Sequence, residues 1–154
     1  MVKSYPPSDF GLMRPALLAL ALAAAGCAGP GGGPAAQDPR AVRVAGIVLK
    51  WVRGDKEANV RRAEPMIRAA AARGAQIVCT TECFLDGYAI ADKSIPLEQY
   101  RALGEPIPDG KYFQRLSALA KETRIHLIAG LTEADGEARY NTSVLIGPAG
   151  ELLG

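Results

Sequence analysis

Two short apolar runs flanking one long amphipathic segment constrain this chain more than any other feature. The first run covers residues 42–49, Val-Arg-Val-Ala-Gly-Ile-Val-Leu; the second begins Ile77-Val78-Cys79 and reaches Thr81. Each has the length of a buried strand. Between them Val60, Ala63, Ile67 and Ala70 recur with a period near 3.6, which predicts a helix over 56–73 with one apolar stripe. Asp55 stands where a side-chain oxygen caps the first free amides, and Gly74 stands where a helix stops. Pro65 lies inside the pattern and predicts a kink, because it lacks an N–H and crowds the preceding turn. A strand, a helix and a strand of this size make a βαβ unit, so the two strands run parallel.

The rest of the chain extends that plan. Residues 89–109 lack a clear period, and Ile95-Pro96, Glu105-Pro106 and Ile107-Pro108 favour extended or turn geometry, with room for a short helix over 97–103. A second long helix is predicted over 111–124, with Phe113, Leu116, Leu119 and Ala120 inward and Asp109 as its N-cap. A third strand is expected over 125–129, ended by Gly130, and a fourth over 140–146. Pro148-Ala149-Gly150 then turns the chain toward a fifth strand starting at Glu151. The fold class is therefore α/β. Successive right-handed crossovers in one direction put both long helices on the same face of one sheet.

Charge narrows the function classes. The 154 residues carry 18 basic and 16 acidic side chains, net +2, and the basic ones are scattered. A nucleic-acid footprint needs a clustered basic face, so that partner is excluded. Cys79 and Cys83 flank a strand end; in extended chain their Cα atoms are too far apart for a disulfide, and with no His beside them they make no zinc pattern. Cys79 reads as a core residue and Cys83 as a residue that could line a pocket. His126, the single His, sits in an apolar run and reads as a packed side chain.

The chemistry-bearing residue is Glu82. It falls where the second strand ends and before the Asp86-Gly87 turn. At the carboxyl end of a strand in an α/β sheet a side chain leaves the core and meets a cleft. From position alone Glu82 is either a solvated loop charge or a functional acid. Glu133 poses the same choice, since the hairpin-type pair Asp135-Gly136 follows it.

Three segments carry a resemblance that bears on this choice. Thr81-Glu82-Cys83-Phe84-Leu85-Asp86-Gly87-Tyr88, Gly130-Leu131-Thr132-Glu133 and Tyr140-Asn141 resemble elements of the nitrilase superfamily, the carbon–nitrogen hydrolases, over roughly residues 42–154. Thr81 stands where that family usually has Pro. The resemblance implies the N-terminal part of an α-β-β-α sandwich. It also implies hydrolysis of a non-peptide C–N bond in a small amide, carbamoyl compound or nitrile, by a Glu–Lys–Cys triad. Glu82 would be the proton acceptor of that triad and Glu133 a supporting acid. The matching Lys and Cys would lie beyond Gly154, so these residues alone are expected to be inactive. The resemblance implies no metal and no organic cofactor, and a homo-oligomer for the full-length protein. The competing class is a non-enzymatic surface lipoprotein that keeps the scaffold.

That alternative draws on the N-terminus. Lys3 and Arg14 precede an apolar run over 16–25, too short to span a bilayer, which takes about 20 residues, but suited to a signal peptide over 1–26. The run ends in Ala24-Ala25-Gly26-Cys27, which resembles a bacterial lipobox and makes Cys27 the candidate for lipidation. An ordinary cleaved signal is the other reading. Residues 27–40 are rich in Gly and Pro and read as a tether. The expected location is the bacterial cell envelope, held to the membrane by the lipid.

Overall fold

The computed structural model describes residues 41–154. The expected signal peptide, the tether and the lipidation at Cys27 lie outside them.

Five strands form one sheet: β1 (Val44–Ile47), β2 (Ile77–Thr80), β3 (Glu105–Pro106), β4 (His126–Asp135) and β5 (Ala138–Ile146). β1 pairs with β2 and β2 with β4, both in parallel, as the βαβ pattern requires. β5 returns antiparallel along nearly all of β4, from Leu127↔Ile146 to Asp135↔Ala138. Gly136, at φ 52°, takes the left-handed conformation in the two-residue loop between them. β2 pairs with residues 126–128 of β4, and β3 with residues 133–134. Because β5 holds one edge of β4, β2 and β3 share the other, and residues 129–132 separate them.

α1 (Lys56–Ala72) and α3 (Lys111–Thr123) pack on each other and on the sheet, so they share a face. Val60, Ala63 and Ile67 of α1 and Phe113, Leu116, Leu119 and Ala120 of α3 are buried there against Val78, Leu127, Ala129, Leu131, Val144 and Ile146. The arginines off the α1 stripe are exposed, as a solvated helix face has them, and one of them carries a surface ion pair. Arg68 makes a two-pronged bond to Glu122 (2.8 Å each), while Arg115 of α3 reaches Glu57 (2.6 Å) and Glu64 (2.5 Å). The planar guanidinium suits such paired contacts.

The ends of α1 follow local rules. Asp55 accepts from the Ala58 amide at 2.8 Å, and Gly74 (φ 83°) closes a Schellman turn in which its N–H bonds to Ala71 O and the Ala75 N–H to Ala70 O. The helix continues through Pro65 without interruption. The start of α3 departs from expectation. Its N-cap is Gly110, not Asp109, and the free amides are satisfied from a distance: Glu105 Oε1 accepts from Tyr112 N (2.6 Å) and Phe113 N (3.1 Å). Glu105 is buried, and its other oxygen takes the Lys56 ammonium at 2.7 Å. A carboxylate there meets both the unpaired N–H groups and the positive end of the helix dipole.

Three strand limits also differ. β4 does not end at Gly130 but runs to Asp135. His126 opens that strand rather than sitting in its middle, partly buried beside Ile77. The expected fifth strand from Glu151 is a single bridge, Ile146↔Leu152. The short helix α2 (Leu97–Ala102) forms close to where it was expected.

Candidate active site

The segment after β2 is bound on every side. Phe84 and Leu85 are fully buried in the core, each worth roughly 1.5–3 kcal/mol relative to exposure, and they fasten the segment to the helix side. Buried Asn59 of α1 then ties it to the loop after β1: its amide donates to Val52 O (2.7 Å) and Leu85 O (3.0 Å) and accepts from Val52 N (2.6 Å). Asp86 is also buried; it accepts from the Tyr88 amide (2.9 Å), which makes a tight turn, and from the Thr132 hydroxyl of β4. Cys83 and Tyr88 hold φ of 46° and 56°, left-handed conformations that cost a side-chain-bearing residue about 1–2 kcal/mol each. Strain of this kind persists where surrounding contacts fix it.

β4 receives the segment at Gly130. A Cβ there would stand 2.7 Å from Thr81 O, 2.9 Å from Glu82 Cα and 3.0 Å from Cys83 N, so only glycine lets the backbones approach this closely. The Gly130 amide donates to the Thr80 hydroxyl at 3.0 Å. This is the gap between β2 and β3 on the edge of β4, and the Glu82 segment occupies it.

Glu82 itself is exposed, and its Oε1 accepts from the Asn141 side-chain amide at 2.6 Å. The Cys83 thiol donates to Asn141 Oδ1 at 3.4 Å. Asn141 and Thr132 are cross-strand partners and share a face. One holds Glu82 and the other Asp86. Burial pushes the Cys83 thiol up to about 11, helped by the negative charges of Asp86 and Glu82, so it stays protonated at neutral pH. Cys83 is thus a buried structural thiol rather than an open pocket wall.

Glu133 lies elsewhere. It is inside β4, partly buried, and accepts from the Thr142 hydroxyl at 2.7 Å. Thr142 and Asn141 are consecutive in a regular strand and point to opposite faces. The structure therefore seats Glu82 and Glu133 on opposite sides of the sheet. Asn59, Gly130, Thr132 and Asn141 were not among the sequence-derived site residues. Asn141 carried a signal as part of the Tyr-Asn pair, Gly130 and Thr132 as part of Gly-Leu-Thr-Glu, and Asn59 carried none.

The carbon-nitrogen hydrolase family model matches residues 42–154. The chain belongs to that family. Among individual relatives, a nitrilase of Pyrococcus abyssi is 31% identical over 109 residues, covering 71% of this chain and 40% of the relative. The omega-amidase of Homo sapiens is 41% identical over 99 residues, covering 64% and 33%. A Saccharomyces cerevisiae member of branch 10 of the nitrilase superfamily superposes with a TM-score of 0.63 at 28% identity, covering 73% of this chain and 42% of that one. The α/β architecture is thus that of the nitrilase-like fold, and this carbon-nitrogen hydrolase chain spans less than half the length of each of these relatives.

Proposed function

We propose that Glu82 is the general base of a hydrolase that cleaves a non-peptide C–N bond in a small amide, carbamoyl compound or nitrile. The observation that carries this reading is the mounting of Glu82: an accessible carboxylate at the carboxyl end of a parallel strand, on a strained backbone, with one oxygen held by Asn141. Such hydrolysis has three tasks. A thiolate attacks the carbon, a carboxylate takes the thiol's proton, returns it to the substrate nitrogen and then takes one from water, and a cation stabilises the developing oxyanion. Glu82 suits the second task. Cys83 does not suit the first, because a thiol raised to about 11 and shut in the core is a poor nucleophile. In this reading the nucleophile and the cation are a Cys and a Lys outside the present sequence, and Glu133, across the sheet from Glu82, supports the site only by tying β4 to β5 through Thr142.

The test uses the enzyme with its complete domain. Glu82→Gln keeps the shape and removes the base, and lowers turnover of simple amides or nitriles about 10²–10⁴-fold with an unchanged melting temperature. Glu133→Gln costs less. A folded Glu82→Gln enzyme with near-wild-type turnover would refute the assignment. We further propose that the mature protein is exported and lipidated at Cys27. Mass spectrometry of the membrane fraction tests this, and recovery of unmodified chain retaining Met1 from the cytosol overturns it.

A further inference from the structure

We propose that Asn141 is the positioning residue of Glu82, and that the Cys83 thiol helps keep the donor end of the Asn141 amide facing the acid. The proposal rests on the reading of Glu82 as the base.

A side-chain amide has a donor end and an acceptor end that exchange by a half-turn. Asn141 is exposed, so nothing in its packing alone selects one orientation. Its two neighbours do. The Cys83 thiol is buried and protonated at neutral pH; it offers a proton, and Asn141 Oδ1, 3.4 Å away, accepts it. The amide nitrogen then points at Glu82 Oε1, 2.6 Å away. The reversed amide would set an oxygen against a carboxylate oxygen at that same short distance and would leave the thiol proton facing an NH₂ group. Both contacts would be lost together, so the carboxylate and the buried S–H select the same orientation, and the S–H is what holds it when the carboxylate is protonated. The left-handed backbone at Cys83 (φ 46°) places the thiol beside the carboxylate that precedes it in the chain.

Stability alone does not account for the Asn141–Glu82 bond. Both side chains are exposed, and a hydrogen bond open to water contributes little to folding. What the bond does is choose an oxygen. Oε1 is occupied, while Oε2 takes no hydrogen bond among the described residues and is the oxygen left to exchange a proton. A carboxylate held this way keeps one oxygen free in a fixed direction instead of rotating through equivalent positions.

The side-chain amide protons of Asn141 in the ¹⁵N-labelled chain provide the test, followed against pH in wild type, Glu82→Gln, Cys83→Ala and Cys83→Ser. In wild type the two protons are well separated, and one moves as Glu82 ionises. Glu82→Gln abolishes that pH response. At pH values where Glu82 is protonated, Cys83→Ala narrows the separation because the amide then samples both orientations, and Cys83→Ser restores it by supplying another donor. A pH response that survives Glu82→Gln, or a Cys83→Ala spectrum identical to wild type, overturns the proposal. Should Cys83→Ala not fold, Asn141→Leu at its exposed site decides: in the enzyme with its complete domain it lowers kcat about 10–100-fold with KM little changed, and an unchanged kcat overturns the proposal. The spectra require no turnover. A flat spectrum therefore removes the clamp and leaves the hydrolase reading standing, whereas an active Glu82→Gln enzyme does the reverse.

Discussion

Gly130→Ala tests the seat of Glu82 more directly than any change to the acid itself. The added Cβ would meet Thr81 O at 2.7 Å, Glu82 Cα at 2.9 Å and Cys83 N at 3.0 Å, all backbone atoms. None of them can rotate aside, so β4 or the Glu82 segment must move. Overpacking of this kind costs about 1–3 kcal/mol. The backbone of Gly130 is not in the left-handed region, so the obstacle is space alone. Gly46→Ala is the matched control: Gly46 is exposed on β1, with nothing within 4 Å of its Cβ position. There the substitution only restricts the unfolded chain and stabilises by roughly 0.4–1 kcal/mol. The same gain offsets part of the loss at Gly130, leaving it roughly 0–2.6 kcal/mol down. The gain is common to both variants, so they differ by the overpacking cost alone, roughly 1–3 kcal/mol, and each kcal/mol shifts the melting temperature of a small domain by about 4–8 °C. Urea unfolding followed by circular dichroism measures the difference, with an unchanged slope showing that the comparison is one of stability. If Gly130→Ala is as stable as Gly46→Ala, the close approach of β4 to the Glu82 segment is wrong, and the mounting of the acid with it.

Other substitutions probe the same assembly. Asn59→Ala removes three hydrogen bonds, to Val52 N, Val52 O and Leu85 O, and should cost about 3 kcal/mol at roughly 1 kcal/mol each; a loss under 1 kcal/mol by urea unfolding would show that the bracket is not needed. The Thr81 hydroxyl is buried without a partner, so Thr81→Val should stabilise by about 1 kcal/mol, and a destabilised variant would count against that burial. The Cys83 thiol is raised from about 9 to about 11, so between those pH values the unfolded chain holds fewer protons than the folded one. Stability should therefore be fully present below about pH 9 and fall as pH rises toward 11, whereas Cys83→Ser flattens this part of the profile; equal slopes in unfolding curves taken across that range would contradict it.

What the sequence revealed and what it hid divide by distance along the chain. Asp55 and Gly74 act on residues three to five positions away, and their roles were legible because capping and the Schellman turn are local. The stripe Val60, Ala63, Ile67 was legible because burial follows the helical period. Gly130 was misread as a strand end, since a glycine in a strand signals either a stop or a close backbone neighbour, and the neighbour here is some fifty positions upstream. The acceptor for the first amides of α3 was hidden for a similar reason: Glu105 precedes a proline in the two-residue β3, and nothing local marks it as the partner of Tyr112 and Phe113. Glu82 stood out by its place at a strand end. Its partner Asn141, 59 positions later, is set by the β4–β5 register, which patterning alone does not fix.

The side-chain hydrogen bonds that seat Glu82 and its neighbours join residues between 52 and 141. A ribosome adding roughly 5–20 residues per second delivers Asn141, 59 positions after Glu82, within about 3–12 s of the acid itself. On the reading of Glu82 as the base, the direction of its carboxylate is therefore fixed when the β4–β5 hairpin folds back on the segment after β2, and the two are synthesised within seconds of each other.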